Sequence, residues 1–150
     1  MRFPPVIAAV VLSACGGASA PLSAPPESTS EAVVRSFMRA AADSNLLRMG
    51  DLWGTTRGPA NATRFPPEYQ KHLVVMQAYL RGDSVRILSD VAKGGRDNER
   101  DVAILLFRPN CIKQIPMTTV RTGSGAWLVQ NVDVSAAGNP ARPCEPVRVP

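Results

Sequence analysis

Four side chains stand out as chemically distinctive in this chain of 150 residues: Cys15, Cys111, Cys144 and His72. A thiol can be acylated, can pair into a disulfide or can ligate a metal, and its surroundings decide which. Metal binding lacks partners, because His72 is the only histidine and no carboxylate pair lies at ligand spacing around it. His72 therefore reads as a surface position on a helix. Gly123-Ser124-Gly125 is not the G-x-S-x-G nucleophile elbow, and a turn is its simpler use. No glycine loop of the phosphate-cradling kind is present. The expectation is a protein with no metal, no cofactor and no local catalytic motif.

The setting of Cys15 is more informative. Met1-Arg2 supplies one positive charge, and FPPVIAAVVL (Phe3 to Leu12) follows as a mostly apolar run. A membrane-spanning helix needs about 20 such residues. A charged start, a shorter apolar run and then small residues describe a secretory signal peptide. Leu12-Ser13-Ala14-Cys15 resembles the lipobox of bacterial lipoproteins at all four positions. That resemblance implies a diacylglycerol on the Cys15 sulfur, removal of residues 1–14 as signal peptide, and acyl chains often added to the new α-amino group. Each buried acyl CH₂ contributes about 0.8 kcal/mol, so two or three chains hold a domain firmly on a membrane. Gly16 follows the cysteine, so the Asp of the best-known inner-membrane retention signal is absent. The implied location is the bacterial envelope, anchored to the membrane and facing the periplasm or exterior.

Residues 15–30, CGGASAPLSAPPESTS, read as the lipidated cysteine and a flexible linker, being small, Pro-rich and nearly uncharged. Residues 135–150 read as a Pro-rich irregular tail, which leaves 31–134 as the compact domain. The net charge of +5 comes from fourteen scattered Arg and three Lys against twelve acidic residues. No basic stripe marks a nucleic-acid surface, and nucleic acid is not an expected partner.

The elements that must position these residues change character along the chain. Ser28 and Glu31 have capping-box spacing and open a helix carrying Val33, Phe37 and Ala41 on one face. Asp43-Ser44-Asn45 breaks it, and a short second helix with Leu46, Leu47, Met49, Leu52 and Trp53 ends at Gly54. TTRGPANATR (55–64) reads as a loop in which Arg57 and Arg64 face solvent, with an anionic group as their alternative partner, and Asn61-Ala62-Thr63 is a chance sequon. Pro66 and Pro67 suit the first turn of a third helix with the stripe Tyr69, Leu73, Met76, Leu80. Four strands are expected next: SVRILSDVA, DVAILLF, CIKQIPMTTVR and AWLVQNVDV, with KGGRDNER and TGSG as turns. DVAILLF is apolar on both faces, as for a strand covered on both sides, and Pro116 argues for an edge or a bulge.

Three helices followed by a four-stranded antiparallel meander is an α+β arrangement. Its element order, FMRAAADSNLLRMGDLW and the GAWLV strand after a glycine turn resemble the nuclear-transport-factor-2-like superfamily over residues 31–134. The resemblance implies a cone in which a curved sheet wraps the helices, with Phe37, Trp53, Tyr69 and Phe107 as candidate pocket lining. Isomerases of that superfamily use an acidic base and a tyrosine inside the cone. Tyr69, Asp43 and Asp133 sit in no matching local motif, so structural roles are expected of them. With Cys15 given to lipid, an exported chain leaves Cys111 and Cys144 as an even pair. The tail leaving the fourth strand starts beside Cys111, which brings Cys144 within reach of a disulfide. The functional expectation is a non-enzymatic interaction module for an unknown envelope protein or small ligand. A binder of apolar molecules and an isomerase- or hydratase-like enzyme with a buried carboxylate are the alternatives.

Overall fold

The computed structural model describes residues 25–145. The expected signal peptide, Cys15 and most of the expected linker lie outside these described residues, as do 146–150.

Helix α1 spans Ser30–Ala42, and its N-cap is Thr29, whose hydroxyl accepts from the Ala32 N–H at 3.1 Å. The cap thus falls one residue after the expected Ser28, and Glu31 sits within the first turn without closing a capping box. Val33, Val34, Phe37, Met38, Ala40 and Ala41 are buried on one side. The break at 43–45 is as expected: Ser44 takes a left-handed backbone, and Asn45 caps α2 (Leu46–Leu52) by accepting from the Arg48 N–H. Residues 55–64 are more ordered than a loop. They form a small hairpin, β1 (Gly54–Thr55) with β2 (Gly58–Pro59), and the single turn α3 (Ala60–Thr63). Helix α4 (Tyr69–Tyr79) starts two residues beyond Pro67, and Tyr69, Leu73, Met76 and the capping Leu80 are all buried.

The sheet is an antiparallel meander in the order β3-β4-β5-β6: Ser84–Lys93, Arg96–Arg108, Cys111–Arg121 and Trp127–Val132. KGGRDNER is not a long turn. Gly94 and Gly95, with φ of +57° and +74°, make the whole connection, which is the backbone a two-residue hairpin demands. Arg96 to Arg100 then continue as strand, secured by an Arg100–Asp90 ion pair across the ribbon. The inner face carries Val102, Ile104, Leu106, Ile115, Met117, Val129 and Val132 against the helices. Thr119 is fully buried on that face, and its hydroxyl pairs with Ser30 Oγ at 2.7 Å, which ties the start of α1 to β5. The other face of β4, with Ala103, Leu105 and Phe107, is only half-buried; DVAILLF is covered by helices on one side alone.

Pro116 lies in a central strand, not at an edge, because β5 pairs with both β4 and β6. Its carbonyl accepts from the Asp133 N–H at 2.9 Å, so its nitrogen faces the same side, where β6 has just ended at Val132. No ladder donor is lost there. One extra residue, Gln130, breaks the register of β6 between Val129 and Asn131 and bends that strand.

The start of the expected tail is packed on the fold, and the described residues beyond Gly138 are irregular and mostly exposed. A short 3₁₀ turn (Val134–Ala137) buries Ala137 completely. Arg108 clamps the turn to the rest of the fold by donating to the carbonyls of Ala137, Tyr79 and Arg81 at 2.6, 2.5 and 2.8 Å. Burial pushes its guanidinium pKa down, yet an arginine stays charged at any physiological pH. Arg108→Met is expected to cost about 2 kcal/mol, read from the urea midpoint, because charged donors to three carbonyls are lost at once. Arg108→Lys should recover only part of it, since a single ammonium cannot reproduce the guanidinium fork.

Candidate functional site

A concavity lies outside the helix–sheet core, at the end where the β5–β6 turn meets α2. It is a cleft of about 650 Å³ enclosed by four separate segments. Pro25, Pro26 and Glu27 form one wall, and Arg48, Asp51 and Leu52 of α2 a second. Thr56 to Pro59 of the β1–β2 hairpin and the turn Thr122 to Ser124 complete the rim. Leu52, Trp127 and Leu128, each mostly buried, supply an apolar floor.

Local hydrogen bonds fix the walls. Glu27 Oε1 accepts from Ser36 Oγ at 2.6 Å and from Arg48 Nη2 at 3.3 Å, while its carbonyl accepts from the Trp127 N–H at 2.9 Å. The last residues of the expected linker are thus held on the domain. On the opposite wall, Asn61 Nδ2 donates to the Leu47 carbonyl at 2.8 Å and to Asp51 Oδ1 at 2.7 Å. Gly50 makes room for that amide: a Cβ there would sit 2.3 Å from Asn61 Oδ1. The sequon asparagine is therefore a staple between α2 and α3. Arg57 has no acidic partner among the described residues; its guanidinium lies 4.5 Å from the centre of the Phe65 ring. An apolar floor with hydroxyls, the Asp51 carboxylate and the unpaired Arg57 at the rim suits a small amphipathic ligand.

The sequence-predicted residues fall elsewhere. Phe37 is fully enclosed in the core, and Tyr69 is buried with it. Trp53 packs on the edge of that core, and its indole N–H donates to the carbonyl of the bulged Gln130 at 3.1 Å. Phe107 lies on the open sheet face beneath the Arg86 guanidinium at 5.8 Å. None of the four is among the residues lining the cleft. Cys111 and Cys144 are brought together as a disulfide with Cα atoms 5.5 Å apart. Cys15 lies outside the described residues.

Asp43 is the exposed C-cap of α1, and Asp133 is the exposed N-cap of the 3₁₀ turn. The Ser135 hydroxyl donates to the Asp133 carboxylate at 2.5 Å and holds its pKa below the usual carboxylate range. All twelve acidic residues belong to the described region, and none is buried. A base buried in an apolar cavity, which isomerase-like chemistry needs, is thus not formed by any carboxylate of this chain. His72 is exposed, 6.0 Å from the Trp53 ring, and no cluster of three metal-ligating side chains occurs among the described residues.

Sequence reasoning missed Arg48, Asp51, Thr122 and Trp127 as cleft residues, because they come from two segments far apart in the chain. The double proline at 25–26 before α1 and the glycine turn at 122–125 were the only local signs that two backbones stop short there. No protein-family model, no curated protein and no solved structure matches this chain.

Proposed function

We propose that this chain is a lipid-anchored protein of the bacterial envelope whose domain, of the nuclear-transport-factor-2-like kind, works by binding and not by catalysis. The anchor rests on Leu12-Ser13-Ala14-Cys15 behind a short apolar run. The α+β meander, with helices on one face and a bulge bending its last strand, supports the cone reading. The observation that carries the binding role is the filled interior. Phe37, Met49, Leu80, Ile104, Leu106 and Ile115 each keep less than 2% of their surface, which supports an interior packed with its own side chains. Interaction then falls to the surface, with an envelope protein as the leading partner.

Labelling cells with a radiolabelled fatty acid tests the anchor. Wild-type protein should take up label and sediment with membranes after a high-salt wash, whereas Cys15→Ser should be unlabelled and unprocessed. Salt-resistant sedimentation of an unlabelled wild-type protein would defeat the reading. The cleft favours a second reading, a site for a small amphipathic molecule, because its 650 Å³ lies within the usual range for ligand sites.

A further inference from the structure

We propose that the surface around the cleft mouth, formed by the first turn of α2 and the 57–65 segment, docks on an anionic phospholipid surface. This rests on the lipid-anchor reading and names what the domain touches once anchored.

Three observations carry it. First, the two stapled segments carry apolar side chains left in water. Leu47 is 73% exposed, the largest value among the big hydrophobic residues, and Leu46 and Phe65 keep 36% and 40%. Asn61 bonds both the Leu47 carbonyl and Asp51, so α2 and the 57–65 segment move as one patch. Second, the charge on that patch is positive in balance. Arg57, stacked on Phe65, and Arg64 beside it have no acidic partner among the described residues. Glu27 and Glu68 are paired with Arg48 and Lys71, while Asp51 keeps its charge and accepts from the neutral Asn61 amide, so two free arginines stand beside one free carboxylate. Exposed apolar groups beside unpaired arginines are the composition that settles at a headgroup boundary, where the aliphatic and ring carbons enter and guanidinium groups meet phosphate.

The third observation is where the chain enters. Pro25 and Pro26 form a wall of the same cleft that Arg57 and Asp51 border. Ten residue steps separate Cys15 from Pro25, and ten steps reach about 35 Å at most, however they are arranged. A domain of this size is itself roughly 35 Å across. An anchor at Cys15 therefore keeps the Pro25 side within one domain width of the bilayer. The tether sets a high effective concentration of the patch at the surface, so a weak intrinsic affinity is enough.

The test uses the acylated protein reconstituted into vesicles of phosphatidylcholine with about one-third phosphatidylglycerol, a proportion that gives a strongly negative surface. A bimane label is placed at Leu47→Cys, at Phe65→Cys or, as control, at Gln114→Cys, an exposed position at the other end of β5. Nitroxide-labelled lipids should quench the labels at 47 and 65 but not at 114. Quenching at 47 should fall by about half or more in pure phosphatidylcholine, in high salt, or when Arg57→Glu and Arg64→Glu are added. Protein that enters the vesicles but shows equal quenching at 47 and 114 overturns the docking proposal and leaves the anchor intact. Protein that carries no acyl group and stays outside the vesicles overturns the anchor reading, and the docking proposal with it. Circular dichroism of each variant separates misfolding from lost docking.

Discussion

Phe37→Ala is expected to lower the free energy of unfolding by about 3–5 kcal/mol, the usual cost of emptying an aromatic site in a packed core. The residue has no exposed surface and lies in the same buried cluster as the α4 stripe and the inner row of β4 and β5. Domains of this size have about 5–15 kcal/mol in all, so the loss is a large share of the total. The thermal midpoint should drop by roughly 10 °C or more. Phe37→Leu, which keeps most of the volume, should lose far less. The pair also discriminates between two roles. A side chain lining a hollow would change ligand retention while leaving the melt almost unmoved, and a shift below about 1 kcal/mol would show that the interior has room to spare.

Loss of the disulfide is the second large effect. Cys111 and Cys144 are 33 residues apart, and in the chain-entropy model closing such a loop stabilises by about 3–4 kcal/mol. The Cys111→Ala, Cys144→Ala protein should therefore unfold at a markedly lower guanidinium concentration than the wild type. Adding a thiol reductant should bring the wild type down to the same midpoint and leave the variant unmoved. An unchanged wild-type midpoint under full reduction would mean that the bridge contributes nothing. The loosening should be local at first. Residues between Gly138 and Cys144 should exchange amide protons sooner, while Ala137, whose carbonyl is held by Arg108, keeps its place.

The fold was legible where burial imposes a period. The α4 stripe, the α1 face and the Asp43-Ser44-Asn45 break are all read correctly from spacing, because each is dictated by one apolar core. Legibility failed where both faces of an element meet water. Arg96 to Arg100 form strand through backbone pairing and the Arg100–Asp90 contact, neither of which leaves a hydrophobic alternation to read. The extra residue in β6 was hidden for another reason. Its carbonyl is taken by Trp53, a partner outside the strand, and no local pattern announces a long-range acceptor. The pocket residues went astray because aromatic identity was allowed to stand for lining. Large rings bury the most surface, so Phe37 and Tyr69 went to the core, and the concavity formed where prolines and turn glycines keep segments apart. The disulfide was readable because a meander turns the tail back along β5: β6 ends opposite Met117, and the 3₁₀ turn and the residues after it carry Cys144 the rest of the way to Cys111.

The bond between Ser30 and Thr119, 89 residues apart, joins the first helix to the strands made last. A ribosome, or a channel through a membrane, delivers this chain from its N-terminus. Helices α1 to α4 therefore emerge with their apolar sides bare, before a single strand of the sheet they cover exists. The first helix can meet α2 and α4 as soon as they are made, but its packing is completed only when β5 and β6 appear. Closure of the domain therefore waits on its C-terminal strands, and part of the helical surface stays open until they arrive.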